Sequence, residues 1–114
     1  MAAFFLTRRA SIDLLEIEAR SLEKWSLEQT EEYMDELYVS FNKIAINPDM
    51  GRLRQERSFP FYMAPVQQHL AIYKPTDNGI IIATVLHKRR NIEAIVKRMA
   101  HTLADEIEAM QRGN

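Results

Sequence analysis

The chain has 114 residues, 46% of them hydrophobic, so it is a single domain that is large enough to bury a core. Its net charge of −1 argues against a generic polyanion-binding protein, whose affinity would come from neutralising phosphates. Cysteine is absent, no apolar run has the length of a membrane span, and the N-terminal order of apolar and basic residues is wrong for a secretory signal, so we expect a cytoplasmic protein.

Charge is distributed unevenly along the chain. Residues 1–50 carry ten acidic and five basic side chains, whereas residues 51–104 carry nine basic and three acidic ones. The pattern fits either ordinary solvated faces or a basic surface that binds an acidic partner.

The first elements are a short strand at residues 3–6 and a helix at 8–24, with Thr7 as the N-cap. One helical face is formed by Ala10, Leu14, Ile17 and Ser21. A second apolar set widens this stripe and consists of Ile12, Leu15, Ala19 and Leu22. We therefore expect this helix to contact more than one neighbour.

The second helix is the best-defined element in the sequence. Ser26 and Gln29 match a capping box, and Asn47-Pro48 ends the helix near residue 46. Its apolar face consists of Thr30, Tyr33, Met34, Leu37, Phe41 and Ile44. The acidic residues at 31, 32, 35 and 36 lie on the other side and are best explained as a solvated face. Almost no linker separates the two helices, which predicts an antiparallel hairpin.

The chain then changes from helical to strand periodicity. We expect a loop at residues 53–57, a strand at 58–63 that is irregular or at an edge because it contains Pro60, and a turn at Ala64-Pro65. A further strand is expected at 67–73, followed by a hairpin connection at 74–79.

The segment 79–86 is uncharged and rich in β-branched residues that do not alternate with polar ones. This pattern predicts a central strand covered on both faces. A basic run of four residues follows it, namely His87, Lys88, Arg89 and Arg90. Because buried unpaired charges are costly, this run must emerge at the end of the strand, where it would form a recognition site.

A final helix at about 92–112 is expected after Asn91, which can serve as its N-cap. Its apolar stripe consists of Ile92, Ile95, Val96, Met99, Leu103, Ile107 and Met110. The predicted fold class is α+β: an N-terminal α-helical hairpin packed on a small, mainly antiparallel sheet, with a C-terminal helix.

Candidate catalytic residues lack a recognisable spacing. His69, His87 and His101 lie in different predicted elements without metal-ligand spacing, so we expect no metal and no cofactor. A metal-independent nuclease would need a general base, a general acid and a cation. The matching residue types are Tyr62, His69, Tyr73, His87 and Arg57.

The order of motifs resembles the ParE branch of the RelE/ParE toxin superfamily over residues 4–91. The resemblance rests on Leu6, Ala10, Asp13-Leu14, Ile17, Trp25-Ser26, Gln29, Tyr33, Leu37, Phe41, Asn47-Pro48, Gly51-Arg52, Arg57-Ser58-Phe59, His69, Ile72-Tyr73, Val85-Leu86-His87 and Arg89. The chain departs from the family at Thr84, where arginine is usual, and at Asn91, where aspartate is usual. The helix beyond Met99 is also longer than in most members.

The resemblance implies a single toxin domain, residues 1–114, of a type II toxin–antitoxin pair that blocks DNA gyrase without catalysis. It implies a ParD-like antitoxin, a hetero-oligomer with it, and no sequence-specific nucleic-acid binding by the toxin alone. We expect gyrase to contact His87, Lys88, Arg89 and Arg90, together with Arg52 and Arg57.

For the antitoxin we expect contacts with Met99, Leu103, Ile107 and Met110, although the same stripe also suits packing within the domain. A ribosome-dependent messenger-RNA endoribonuclease and an inert structural domain remain the alternatives. The absence of tyrosine after Tyr73 favours the gyrase interpretation over the nuclease.

Overall fold

A computed structural model describes residues 2–56 and 59–112. The elements in chain order are β1 (Ala3–Leu6), α1 (Arg8–Lys24), α2 (Leu27–Ile46), a short 3-10 turn (Pro48–Met50), β2 (Arg52–Glu56), β3 (Phe59–Val66), β4 (His69–Thr76), β5 (Gly79–His87) and α3 (Ile92–Arg112). No helix in these ranges is long and apolar enough to cross a membrane.

The five strands form one sheet in the order β1-β5-β4-β3-β2. β1 runs parallel to β5, with Ala3 opposite Gly79, and every other neighbouring pair is antiparallel. The α+β class and the mainly antiparallel sheet are therefore confirmed, and the strand predicted at residues 3–6 is part of this sheet.

All three predicted N-caps are confirmed. The Thr7 hydroxyl accepts a hydrogen bond from the Ala10 amide at 3.1 Å, and the Ser26 hydroxyl accepts one from the Gln29 amide at 3.1 Å. The Asn91 side-chain oxygen accepts one from the Ala94 amide at 3.2 Å. Each bond satisfies an amide that has no partner within its helix, which fixes the first turn at that position.

The strand β5 is buried from Gly79 to Leu86, as predicted. The α1–α2 hairpin covers one face of the sheet, where Ile80, Ile82 and Val85 join the larger core cluster. α3 covers the other face, where it packs on Ile81 and Ala83. β5 is not the middle strand, however, because the fifth strand, β2, makes β4 the middle one.

The predicted loop at residues 53–57 is wrong, because Arg52–Glu56 forms the edge strand β2. β2 pairs with β3, with Leu53 opposite Tyr62. Polar and charged residues are typical of an edge strand, so its sequence lacks the alternation that marks a half-buried strand. Residues 57–58, including the first residue of the predicted strand 58–63, lie outside the described residues.

The predicted turn at Ala64-Pro65 is also wrong, because β3 continues to Val66. The chain reverses at Gln67 and Gln68, and Gln67 adopts a left-handed backbone with φ 59°. β3 is an inner strand, although it contains Pro60. Pro60 lies opposite Gln55 of β2, and the residue pairs between β3 and β4 begin at Tyr62.

The connection after β4 is shorter than predicted. The expected hairpin connection at 74–79 is limited to a two-residue turn at residues 77–78, because Lys74–Thr76 continues β4 and pairs with β5. A short turn fixes the register of the two strands, so it determines which side chains at the other end of the hairpin meet.

Tyr73 connects the end of α2 to the sheet. Its hydroxyl donates to the Pro48 carbonyl at 2.6 Å and accepts from the Gly51 amide at 3.1 Å. A Cβ at position 51 would overlap the Tyr73 hydroxyl and the Met63 carbonyl. Glycine is therefore required here because the Tyr73 hydroxyl and the Met63 carbonyl approach the backbone closely.

Candidate functional site

The basic run emerges at the end of β5, as predicted. His87 is half-buried, whereas Lys88, Arg89 and Arg90 are exposed. The Lys88 amide donates to the Gln68 carbonyl at 3.1 Å, and the Arg90 amide donates to the His87 carbonyl at 3.1 Å. These bonds tie the run to the β3–β4 turn, so the charged side chains extend from a backbone that is fixed by the sheet.

His87 has a defined role in this turn. Its Nδ1 atom accepts a hydrogen bond from the Arg89 amide at 3.0 Å. In the neutral ring the proton must therefore reside on Nε2, because Nδ1 is the acceptor. The His87 ring thus helps to hold the turn from which the Arg89 side chain extends.

His69 lies beside His87 and is held by Tyr33. The Tyr33 hydroxyl accepts from the Gln68 amide at 3.1 Å and lies 2.7 Å from Nδ1 of His69. Because the phenol oxygen already accepts a hydrogen bond from the Gln68 amide, we assign the phenol proton to the bond with Nδ1. The His69 and His87 rings are 5.0 Å apart between centroids and meet edge to face at 75°.

The pKa of His69 is lowered from 6.5 to about 4, mainly by burial, and charge repulsion from the neighbouring His87 and Lys88 contributes the smaller part. Only 9% of the residue is exposed, which agrees with desolvation as the main cause. His69 is therefore neutral at pH 7. Burial also raises the pKa of Tyr33, so the phenol keeps the proton that it shares with His69.

An aromatic row supports the basic run. It consists of Trp25, Tyr33, His69 and His87, and successive ring centroids are 5.9, 5.8 and 5.0 Å apart. The row extends from the α1–α2 connection to the end of β5. The four residues of the row are far apart in the sequence. The signal that could have revealed the row is the strand register that pairs His69 with His87.

Of the predicted gyrase-contacting residues that the structure describes, the four of the basic run lie together and Arg52 does not join them. Following the strand register from Arg52 across the sheet leads to Thr84 on β5. Three steps between strands correspond to about 14 Å, so Arg52 lies at the far edge of the sheet. Arg57 lies outside the described residues.

Residues Lys97, Arg98 and His101 also carry basic groups on the exposed surface of α3. With Ala94 and Ala100 they line a shallow depression of about 400 Å³. The sequence already showed the excess of basic residues over 51–104, but it did not indicate that this part of α3 is exposed.

The predicted antitoxin-contacting residues lie against the sheet of their own domain. Leu103 is 0% exposed and Ile107 is 2% exposed, and both pack on Ile81 and Ala83. Met99 and Met110 are partly buried beside them. Leu103 and Ile107 are therefore not exposed, because the apolar sheet face covers them, and their contact with an antitoxin stays a prediction. The structure adopts the alternative of packing within the domain.

The structure separates the described residues of the nuclease hypothesis into two groups, Tyr62 with Tyr73 and His69 with His87. Tyr73 is fully buried, its hydroxyl is engaged by Pro48 and Gly51, and Tyr62 stacks on its ring at 5.5 Å. Tyr73 is four residues from His69 along β4, or about 13 Å. Among the described residues, no group of three or more acidic or histidine side chains is placed to hold a metal ion.

Thr84, which departs from the family pattern, is fully buried rather than at the surface. Its hydroxyl donates to the Asp13 carboxylate, which also accepts from the Val85 amide at 3.0 Å. Burial raises the pKa of Asp13, while these hydrogen bonds and the nearby Arg9 oppose the rise. The departure therefore affects the attachment of α1 to β5 and does not alter the basic run.

The comparisons with known proteins agree on one family. Residues 4–92 match the family described as the ParE toxin of the type II toxin–antitoxin system parDE. Toxin ParE1 of Caulobacter vibrioides (strain ATCC 19089 / CIP 103742 / CB 15) is 30% identical over 94 residues, which cover 82% of this chain and 97% of the relative. Toxin ParE1 of Mycobacterium tuberculosis (strain ATCC 25618 / H37Rv) is 29% identical over 91 residues, which cover 79% and 93%.

A solved structure described as the chromosomal ParDE TA system from P. aeruginosa shares the fold. Its TM-score is 0.64 at 15% identity, and the match covers 76% of this chain and 96% of the other. The family match ends at residue 92, where α3 begins. On its sequence match and its fold, the chain belongs to the ParE family of toxins from type II toxin–antitoxin systems.

Proposed function

We propose that this ParE-family toxin inhibits DNA gyrase by binding it as a protein partner, and that it blocks replication without catalysing a reaction. The observation that carries the proposal is the exposed basic run Lys88, Arg89 and Arg90, whose backbone is fixed at the end of a buried strand. Because the backbone of the run is already fixed, binding to an acidic surface needs to order only its side chains, which suits recognition of a protein target.

The arrangement of the candidate acid–base groups supports a non-catalytic toxin. His69 is buried, has a pKa of about 4 and is engaged by Tyr33, so it is not available as a proton donor near pH 7. Of the two tyrosines of the nuclease hypothesis, Tyr73 is about 13 Å away along β4 and Tyr62 lies opposite Tyr73 on β3. An exposed cationic run beside a buried, hydrogen-bonded histidine suits binding better than phosphodiester cleavage.

Neutralisation by a ParD-like antitoxin, within a hetero-oligomer in the cytoplasm, is the second part of the proposal. If the antitoxin uses Leu103 and Ile107, α3 must first leave the sheet, because both side chains are buried there. Binding through this stripe would then have to compensate for exposing the sheet residues Ile81 and Ala83.

The test compares the wild-type chain with an Arg89→Ala/Arg90→Ala variant. The wild-type chain should inhibit supercoiling by purified gyrase or increase the amount of cleaved plasmid, and it should leave messenger RNA on translating ribosomes intact. The double variant should lose this activity but keep its melting temperature, because exposed charges contribute little to stability. A Lys24→Ala/Lys43→Ala variant removes two exposed charges elsewhere and should remain active.

The opposite outcome would establish the endoribonuclease alternative. Messenger-RNA cleavage that disappears in a His87→Ala variant, with gyrase unaffected, would make the gyrase proposal wrong. A chain that affects neither gyrase nor messenger RNA would favour the inert structural domain.

A further inference from the structure

The single tryptophan of the chain lies half in water at the connection between α1 and α2. Trp25 follows the last residue of α1 and is 46% exposed. Leu27, the first residue of α2, is 63% exposed. One exposed leucine needs no explanation, but a large aromatic side chain that is left exposed next to a charged recognition site indicates a contact with another molecule.

Trp25 is joined to the basic run by a fixed series of contacts. Its ring lies 5.9 Å from that of Tyr33. The Tyr33 hydroxyl accepts a hydrogen bond from the Gln68 amide, and the Gln68 carbonyl accepts one from the Lys88 amide, each at 3.1 Å. The exposed turn at residues 67–68 therefore lies between the tryptophan and the basic run.

The dimensions of this surface suit one binding partner. The ring-to-ring distances along the aromatic row place the Trp25 and His87 rings at most about 17 Å apart. A standard interface of ~800 Å² per partner is about 30 Å across, so it covers both ends of the row. A partner that contacts the basic run therefore also reaches Trp25.

The charges around Trp25 indicate a protein rather than a nucleic acid as the partner. Residues 22–36 carry six exposed acidic side chains and one basic one, Lys24. Glu36 is close enough to Tyr33 to help raise its pKa, although burial is the main cause. A phosphate backbone that ran from the basic run to Trp25 would meet these carboxylates, whereas a protein can present an acidic group at one end and an apolar side chain at the other.

We propose that Trp25 is the apolar anchor of the gyrase-binding surface, which extends over the turn at residues 67–68 to Lys88, Arg89 and Arg90. The inference rests on the proposed function, since gyrase is the partner. The matching surface of gyrase carries an acidic group that contacts the basic run and, within about 17 Å of it, an apolar side chain that covers Trp25. The basic run attracts the partner, and the buried tryptophan slows its dissociation.

A spectroscopic label tests the contact in the otherwise unchanged chain. Because Trp25 is the single tryptophan, 5-hydroxytryptophan introduced in its place marks this position alone and can be excited where the tryptophans of gyrase do not absorb. Purified gyrase without DNA should reduce the quenching of this emission by acrylamide several-fold. A Trp25→Phe/Ile46→Trp variant with the same label is the control. Ile46 is 75% exposed at the other end of α2, so its quenching should not change.

Binding of variants to immobilised gyrase tests the energetic role of the tryptophan. Trp25→Ala should weaken binding by at least about tenfold, and Trp25→Phe should restore most of it. Ile46→Ala should bind as wild type does. Trp25→Ala should keep the salt dependence of wild type, whereas Arg89→Ala/Arg90→Ala should reduce it, because only the latter removes charges.

The possible outcomes separate this inference from the proposed function. Gyrase that binds the wild-type chain and leaves the label at position 25 fully quenched would overturn the inference and leave the proposed function intact. A wild-type chain that does not bind gyrase would overturn both. Protection of the label by a single-stranded oligonucleotide, and not by gyrase, would show that a nucleic acid covers Trp25 and would likewise overturn the inference. The labelled chain gives these results even if Trp25→Ala does not fold.

Discussion

Replacing His69 with glutamine should remove a large part of the acid sensitivity of this fold. In the native protein His69 is buried and its pKa is lowered from 6.5 to about 4, mainly by desolvation. The unfolded chain binds a proton at this position below pH 6.5, whereas the native chain does not until about pH 4. Stability contributed by the neutral ring is therefore fully present above pH 6.5 and is lost as the pH falls from 6.5 to about 4.

The size of the effect follows from the pKa difference. The native and unfolded values differ by 2.5 pH units, and each unit corresponds to about 1.4 kcal/mol, so the upper limit is about 3 kcal/mol. Asp13 acts in the opposite direction, because its raised pKa makes the native chain bind a proton more readily than the unfolded chain. The quantity to measure is therefore the difference in the free energy of unfolding between wild type and variant, rather than the pH dependence of wild type alone.

The assay is urea unfolding of wild type and His69→Gln at pH 7.5, 6.5, 5.5 and 4.5. Glutamine accepts a hydrogen bond from the Tyr33 hydroxyl but does not titrate, so its cost in stability should be constant with pH. Between pH 6.5 and 4.5 the free energy of unfolding of the wild-type chain should fall by about 2 to 3 kcal/mol more than that of the variant. His101→Gln, which changes an exposed histidine, is the matched control and should follow wild type. Parallel curves for wild type and His69→Gln would refute the reasoning.

Three further changes test the packing by thermal and urea unfolding. Phe41→Ala should cost about 3 to 5 kcal/mol, because the ring is fully buried between α2 and the sheet, and an unchanged melting temperature would contradict the helical packing. Gly51→Ala should destabilise the chain by about 1 to 3 kcal/mol, because its Cβ displaces the Tyr73 hydroxyl from its buried hydrogen bonds. Asp13→Ala should cost a similar ~1 to 3 kcal/mol, because it leaves the buried Thr84 hydroxyl without its acceptor, whereas a neutral effect would show that this pair adds no stability.

The features that could be predicted from the sequence are those that local chemistry decides. Thr7, Ser26 and Asn91 each bond an amide three residues away, so a reader of the sequence can place the three helix starts. The strand β5 was equally evident, because a run of β-branched residues without polar alternation suits only a strand covered on both faces.

The features that could not be predicted depend on partners distant in the chain. β2 is a strand because β3 pairs with it, and its own side chains carry no period that shows this. His69 and His87 face each other because a two-residue turn aligns β4 and β5, whereas the sequence favoured a six-residue connection. One residue of difference in that register would place the two rings on opposite faces of the sheet.

The helix α3 lies beyond the family match and covers the second apolar face of the sheet. α3 begins where the family match ends, and it is the element that covers Ile81 and Ala83 within the described residues. Without α3 these side chains would face water, at a cost of about 25 cal/mol for each Å² of apolar surface exposed. An antitoxin segment that binds this face must therefore compete with α3, whereas one that binds elsewhere leaves the helix in place. Because Leu103 is fully buried, an antitoxin segment would have to displace α3 before it could use this sheet face.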